Sequence, residues 1–271
     1  MKIDLHVHSD HSFDGRTDIE SVIKNAEASS LDAVAITDHD TMSAVGLARK
    51  YADKVTIIPG MEITTSAAGT HIIGLFLKEE IISRDIDDVI DEIHGQGGLV
   101  MIPHPYRAGT GLMYNRDELH RIDGKQASRI LSGADLIEAF NYRCTPESLI
   151  STDRLLDFHP NLAQTSGSDA HHDYEIGKAY IDLEEVRSGS LEDIKEALLY
   201  SPRLLRYEAH TEQGEPETRV TKIKGRKKSL ITKTRDFIPR SVRRSLRAIY
   251  EKSAGRLSSR RKDRSSTGIR Q

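Results

Sequence analysis

The stretch DLHVHSDHSFDG, residues 4–15, puts His6, His8, Asp10, His11 and Asp14 directly after an apolar strand start. Histidines and carboxylates crowded at a strand end repel one another or go unpaired unless a cation sits between them. Residues two apart on a strand share a face, so His6 and His8 point the same way. A bare His-x-His pair is equally well two polar residues on an exposed face. Repetition along the chain raises it above that reading. TDHD (37–40) puts His39 at the end of a second strand, GMEIT puts Glu62 at the end of a third, and THIIGL puts His71 at the start of a fourth. IPHPYR carries His104 and Arg107, and SGSDAHH carries Asp169 and His171. Barrels and doubly wound sheets gather functional groups at the carboxyl ends of their strands. Most of these residues sit at such an end; His71, where a strand begins, is the exception.

Outward from these motifs, short apolar strands alternate with helical patterns. KIDLHVH, DAVAITDH, VTIIPGMEIT, THIIGLFL, LVMIPHP, ADLIEAFN, LAQTSGSDAH and KAYIDL read as strands. TDIESVIKNAEASS reads as a helix with Thr17 as N-cap and Glu20 completing a capping box. MSAVGLARKYA is a second helix, and DIDDVIDEIHGQ a third, with Val89, Ile90 and Ile93 on one face and Gly97-Gly98 as its stop. SLEDIKEALLYS is a fourth, capped by Ser190. Such alternation predicts a parallel α/β fold, open or closed.

The chain has 271 residues and a net charge of −3. That total hides a split. Residues 1–209 hold 20 Lys and Arg against 36 Asp and Glu, a net of −16; residues 210–271 hold 19 against 6, a net of +13. An acidic body over 1–209 therefore carries a basic extension over 210–271. Residues 210–217, HTEQGEPE, read as a linker. Beyond it, PRSVRRSLRAIYEKSAGRL (239–257) has Val242, Leu246, Ile249, Tyr250 and Leu257 at helical spacing with arginines between, a basic amphipathic helix. The last residues read as disordered. Residues 218–264 could meet nucleic acid or an anionic membrane surface; few aromatics are present there for stacking on bases. No apolar run approaches the ~20 residues of a membrane span. The start, MKIDLHVH, reads as strand rather than signal peptide. The single cysteine, Cys144, excludes an internal disulfide framework and a cysteine-based zinc site. A cytoplasmic setting is expected.

Taken in order, HVH, SFDG, TDHD, GMEI, HIIGL, PHPYR and GSDAH resemble the polymerase and histidinol phosphatase (PHP) family of metal-dependent phosphoesterases, over about residues 1–205. The resemblance implies a distorted seven-stranded β/α (TIM-like) barrel with a trinuclear site. It implies a first metal on His6, His8, Glu62 and Asp169, and a second on Asp14, His39 and His171. A third would take His71 and His104, with Glu62 bridging to the first. Asp10 and His11 compete with Asp14 for the second ion. Imidazoles and carboxylates without thiolate suit zinc, manganese or iron. Three divalent ions against three carboxylates leave the site cationic by about three units, suited to a phosphate dianion.

The function expected is hydrolysis of a phosphomonoester or nucleotide through a metal-bound hydroxide. Arg107 would grip non-bridging oxygens, and His171 or Asp40 would protonate the leaving group. Asp38 and Asp40 otherwise make supporting hydrogen bonds around His39. Asn141, Tyr142 and Arg143 could line the pocket. His94, His120, His159, His172 and His210 read as surface residues and Cys144 as packing. Nucleotide-acting members of the family often carry a long helical insertion that this chain lacks, and 107–130 is its one stretch long enough for a lid. The alternatives are a nuclease recruited to RNA or DNA by the basic extension, and a noncatalytic metal-stabilised module binding nucleic acid or membrane.

Overall fold

Runs of Val, Ile and Leu four to nine residues long form the strands, and each is bounded by polar turns. The computed structural model describes residues 1–67, 69–113, 124–159, 162–210 and 216–225. Met1–Lys227 makes one compact unit and Lys228–Gln271 a second. The helix expected over 239–257 lies outside the described residues, as do 114–123 of the expected lid.

β1 (Lys2–Val7), β2 (Ala33–Ile36) and β3 (Thr56–Thr64) run parallel. β4 (His71–Leu75) is antiparallel to β3 on one side and to β5 (Leu99–Ile102) on the other. β6 (Leu136–Asn141) and β7 (Ala163–Gly167) resume the parallel direction. On the far side of β1 lie β8 (Ala179–Leu183), β9 (Arg203–His210) and β10 (Pro216–Ile223), each antiparallel to its neighbour. One ten-stranded sheet results, in the order β10-β9-β8-β1-β2-β3-β4-β5-β6-β7. Its ends approach each other. Val7 bridges Ala170, Ser166 Oγ donates to the Arg206 carbonyl at 3.3 Å, and the Phe140 and Tyr207 rings stack with centroids 3.6 Å apart. The sheet is thus barrel-like and nearly closed.

Two expectations need correction. The sheet has ten strands rather than seven, because three antiparallel strands extend it beyond β1. It is mixed rather than parallel. Strand pairing also runs through the stretch read as a linker: His210 pairs with Pro216, so an expected boundary at 209 falls inside the β9–β10 hairpin.

The helices follow amphipathic spacing. α1 (Ile19–Ala28) buries Ile19, Val22, Ile23 and Ala26. Its cap is Asp18 rather than Thr17, because the Asp18 carboxylate accepts the Ser21 N–H at 2.9 Å and the Ser21 hydroxyl at 2.7 Å. α2 spans Val45–Tyr51. α3 (Ile86–Gly95) buries Ile86, Val89, Ile90 and Ile93 behind an Asp85 cap. α4 (Gly124–Gly133) and α5 (Pro146–Phe158) were not anticipated; α5 starts on a Thr145 cap followed by Pro146, a favoured first-turn residue. α6 (Leu191–Tyr200) carries the expected Ser190 cap.

Within the sheet, Ile3, Leu5, Ala33, Ile58, Ile73, Leu75, Met101, Leu136, Ala163 and Ile181 share one apolar core. By the two-residue strand period, Glu62 shares a face with Ile58, His71 with Ile73, and Glu138 with Leu136. The enclosed face therefore changes from aliphatic to polar toward one end of the sheet.

Candidate metal centre

That end is where the chemistry converges. His6 lies at the end of β1 and His8 just beyond it. His39 follows β2 and forms an isolated bridge with Glu62 of β3. His104 follows β5, Asp169 and His171 follow β7, and Asp14 lies in the loop before α1. His71 joins them because β4 is reversed: its first residue pairs with Thr64, the last of β3, at the end where the parallel strands stop.

Glu62 is the hub. Its Oε1 lies 2.9 Å from His71 Nδ1 and 3.0 Å from His104 Nε2. Its Oε2 lies 3.3 Å from His6 Nε2, 3.2 Å from His8 Nε2 and 3.5 Å from His39 Nδ1. Asp169 is divided in the same way. Oδ1 sits 3.4 Å and 3.5 Å from the His6 and His8 Nε2 atoms, while Oδ2 accepts from Arg107 Nη1 at 2.6 Å and Asn141 Nδ2 at 3.2 Å. Asp14 Oδ2 meets His171 Nε2 at 2.8 Å and His39 Nε2 at 3.3 Å. Apart from the half-buried Asp14, these nine side chains are buried or nearly so. The backbone takes left-handed φ at His104 (28°) and Asp169 (53°), and at Asp40 (55°) beside His39. Each such residue costs on the order of 1–3 kcal/mol and is held by its surroundings.

The donor set has the composition of a cation site. His6 Nε2 and His8 Nε2 face each other at 3.0 Å, and the buried Nδ1 atoms of His39 and His104 have no hydrogen-bond partner. Four overlapping groups could each hold an ion: His8, Asp14, His39 and His171; His6, His104 and Asp169; His6, His8 and Glu62; and His39, Glu62 and His71. Imidazole and carboxylate without thiolate fit zinc, manganese or iron(II). The charges point the same way. Burial opposes ionisation of Glu62 and Asp169, yet the surrounding imidazoles hold both well below the usual carboxylate range, with Arg107 adding to the effect on Asp169. Burial also opposes protonation of His8, but hydrogen bonds to Asp169 and Glu62 raise it to about 9. Three carboxylates thus draw positive charge into a desolvated pocket, which divalent ions would supply.

All nine residues expected as ligands come together here. Asp14, not Asp10 or His11, reaches the imidazoles; Asp10 is exposed and His11 Nδ1 lies 2.7 Å from Ser43 Oγ. Asp38 accepts the Ser9 N–H and hydroxyl at 2.6 and 2.8 Å, a supporting role as expected. Asp40 accepts the Thr64 N–H at 3.0 Å and pairs with Arg84 at 3.3 Å, which engages it away from the imidazoles. Arg107 is anchored on Asp169 and remains 30 % exposed. Asn141 reaches Asp169, while Arg143 approaches Glu175 at 3.7 Å. His94 pairs with Asp135 at 2.8 Å. His120 and the side chain of His210 lie outside the described residues.

Sequence reasoning passed over three residues. Glu138 is fully buried with Oε1 2.9 Å from His6 Nδ1. Ser12 Oγ donates to Asp14 at 2.9 Å and accepts the His39 N–H at 3.1 Å. Asp4, raised to about 7 by burial, accepts backbone N–H groups of Ser168, His6 and Gly177. Asp4 and Glu138 did carry a signal, a carboxylate inside an otherwise apolar strand.

A barrel-like α/β sheet with histidines and carboxylates gathered at one end is a metallohydrolase architecture. The PHP domain model matches residues 4–143, and the chain belongs to the PHP family of metal-dependent phosphoesterases. An uncharacterized protein of Methanocaldococcus jannaschii is 31 % identical over 202 residues, covering 72 % of this chain and 75 % of that protein. A phosphoribosyl 1,2-cyclic phosphate 1,2-diphosphodiesterase of Eggerthella lenta is 33 % identical over 82 residues, 28 % of this chain and 31 % of its own. A 5'-3' exoribonuclease of Haemophilus influenzae is 38 % identical over 78 residues, 27 % and 28 % of the two chains. Among solved structures, a two-domain Bacteroides vulgatus protein containing a predicted PHP-like metal-dependent phosphoesterase shares the fold, with a TM-score of 0.58 at 17 % identity over 85 % of this chain and 88 % of that one. Among the described residues, no helix is long and apolar enough to cross a membrane.

Proposed function

We propose that this protein hydrolyses a phosphomonoester or a nucleotide with the help of divalent ions, three in number, held by the nine residues. The observation that carries the reading is the division of Glu62 between two sets of imidazoles, His71 and His104 on one oxygen and His6 and His8 on the other. A buried carboxylate so placed is a bridging ligand. In this reading, His6, His8, Glu62 and Asp169 hold one ion, Asp14, His39 and His171 a second, and His71 and His104 with Glu62 a third. Bound divalent ions supply a nucleophile at neutral pH and neutralise charge on a transferring phosphoryl group.

The remaining work falls to side chains of this chain. Arg107 spends one N–H on Asp169 and has others for the non-bridging oxygens of a phosphate. Its aliphatic stem leaves it partly exposed at the mouth, where an anionic ester would arrive. The closed wall of Ile58, Leu75 and Met101 beneath the cluster keeps water to the open side. Asp40, engaged by Thr64 and Arg84, is the weaker of the two proton donors considered, and His171 the stronger.

Phosphodiester cleavage is a second reading, supported by the partial relatives named for cyclic phosphate and RNA substrates and by the net charge of +13 over 210–271. The noncatalytic alternative is disfavoured by the complete donor set. The test is a screen of phosphorylated metabolites, dinucleotides and short RNA with manganese or zinc, paired with elemental analysis. Turnover of a monoester with about three ions per chain is expected. A fully loaded chain inert toward every ester overturns the catalytic reading. Removing 228–271 separates the two substrate classes: loss of RNA cleavage with retained aryl phosphate hydrolysis favours the nuclease.

A further inference from the structure

Glu138 is a buried carboxylate that the donor set does not include. It sits in β6 with no side-chain exposure, and three donors meet its two oxygens. His6 Nδ1 lies 2.9 Å from Oε1; the His104 backbone N–H donates to Oε2 at 2.8 Å; Asn141 Nδ2 donates to the same Oε2 at 3.0 Å. Asn141 then passes a second contact to Asp169 Oδ2 at 3.2 Å. The space around it is built to fit. A Cβ on Gly167 would lie 2.4 Å from Glu138 Oε1 and 2.8 Å from His6 Cβ, so β7 has no side chain where the carboxylate passes.

We propose that Glu138 is a positioning residue for the metal centre: it fixes the His6 tautomer with the proton on Nδ1 and Nε2 free toward the ions, and it ties His104 and Asp169 to the same anchor. The inference rests on the metal-dependent reading above. A carboxylate accepts and cannot donate when ionised, so a 2.9 Å contact to it places the proton on Nδ1. Other imidazoles are oriented by neutral groups. His171 Nδ1 lies 2.8 Å from the Asp169 carbonyl, and His8 Nδ1 lies 3.4 Å from Ser12 Oγ, whose own proton goes to Asp14. Among the described residues, His6 is the ligand whose outer nitrogen meets a carboxylate outside the donor set. The Oε2 contacts do a second job, since the His104 N–H is held where its backbone takes the left-handed φ of 28°.

The chemistry makes glutamine a severe replacement despite its shape. Its amide must turn NH2 either toward His104 N–H and Asn141, two donors, or toward His6 Nδ1. The second orientation satisfies more groups, and it makes His6 Nδ1 an acceptor. The ring proton then moves to Nε2, the atom that faces Glu62, Asp169 and His8. An ion must displace that proton to bind.

The experiment uses the full chain and Glu138→Gln. Long-range 1H–15N spectra of the histidine rings, taken on metal-free protein, report the tautomer; zinc competition against a chelator series with elemental analysis reports affinity. The wild-type chain should show His6 with its proton on Nδ1 and hold its full complement of zinc. Glu138→Gln should show the proton on Nε2 and lose zinc at about 10- to 100-fold lower chelator concentration, with its far-UV circular dichroism unchanged. A wild-type His6 protonated on Nε2 overturns the inference whether or not the variant folds. Equal zinc affinity in a folded variant overturns it as well. A wild-type chain that takes up no zinc, manganese or iron sinks the metal-dependent reading and this inference with it, whereas the two preceding results sink the inference alone.

Discussion

Replacing Gly167 with alanine tests how tightly the cluster is built into the sheet. Its φ is not in the left-handed region, so space alone excludes a side chain there. The added Cβ would lie 2.4 Å from Glu138 Oε1 and 2.8 Å from His6 Cβ. Neither neighbour is free to withdraw, because both are fully buried and joined by the 2.9 Å contact. Overpacking of this kind costs about 1–3 kcal/mol, and breaking a hydrogen bond to a charged group adds about 1.5–3 kcal/mol. Allowing for partial relaxation, a loss of about 2–5 kcal/mol corresponds to a fall in Tm of roughly 4–20 °C for a unit of this size. Calorimetry on the metal-free protein reads the fall. Gly46→Ala is the matched control. It stands in α2 with nothing within 4 Å of the added carbon, so it should raise stability by about 0.5–1 kcal/mol. Opposite signs for two identical substitutions are the signature. A Gly167→Ala melt within about 1 °C of the wild type would refute the packing argument and, with it, the close seating of Glu138 under β7.

Three further outcomes are expected. Glu62→Ala should release at least one ion per chain, because His71 and His104 lose their shared anionic partner; unchanged stoichiometry by elemental analysis would remove Glu62 from the ligand set. Arg107→Ala should keep the full metal complement and lower kcat/KM by about 10- to 100-fold, the value of a charge-assisted hydrogen bond of about 1.5–3 kcal/mol; unaltered kinetics would return Arg107 to a purely structural partner of Asp169. Cys144 should resist alkylation. Burial pushes its thiol up to about 12 from 9.0, so the folded chain holds about 10³-fold less thiolate at neutral pH than an ordinary cysteine. The rate with iodoacetamide should climb tenfold per pH unit to beyond pH ~10, and a plateau near pH 9 would contradict the burial.

The convergence of the nine residues was legible because each stands in a short motif at a strand terminus, and strand termini are the positions that a barrel-like sheet brings together. His71 looked anomalous in one dimension. Its place at the start of β4 makes sense once that strand is seen to run against β3, since reversal carries a beginning to the end where its neighbours finish. No local signal announces that reversal. THIIGLFL has the apolar run of any buried strand, and direction is decided by the short connection from Thr64 to His71, too brief for a crossover helix. The same limit explains the missed hairpin. HTEQGEPE is polar with Gly and Pro, a composition shared by linkers and hairpin turns, and only the pairing of His210 with Pro216 distinguishes them. The Thr17 cap was misplaced by one residue because Thr17 and Asp18 are both good N-caps; the helix takes the one whose carboxylate reaches Ser21.

The supporting residues were the least legible, and the reason is physical. A ligand is recognised by type and position, but an orienting group is recognised only by what it touches. Glu138 and Asp4 each break an apolar strand, which marks them as buried carboxylates in need of partners. Sequence cannot say whether those partners are backbone amides, as for Asp4, or an imidazole of the cluster, as for Glu138. The difference matters for function. Asp4 ties the segment after β7 to β1 through N–H groups of Ser168 and Gly177 and could be matched by any acceptor of its length. Glu138 touches a side chain whose two nitrogens have different duties, so only a group that accepts and never donates serves there. A site assembled from six strand ends needs both kinds of support: one to hold the ends together, the other to decide which nitrogen of each ring faces the ions.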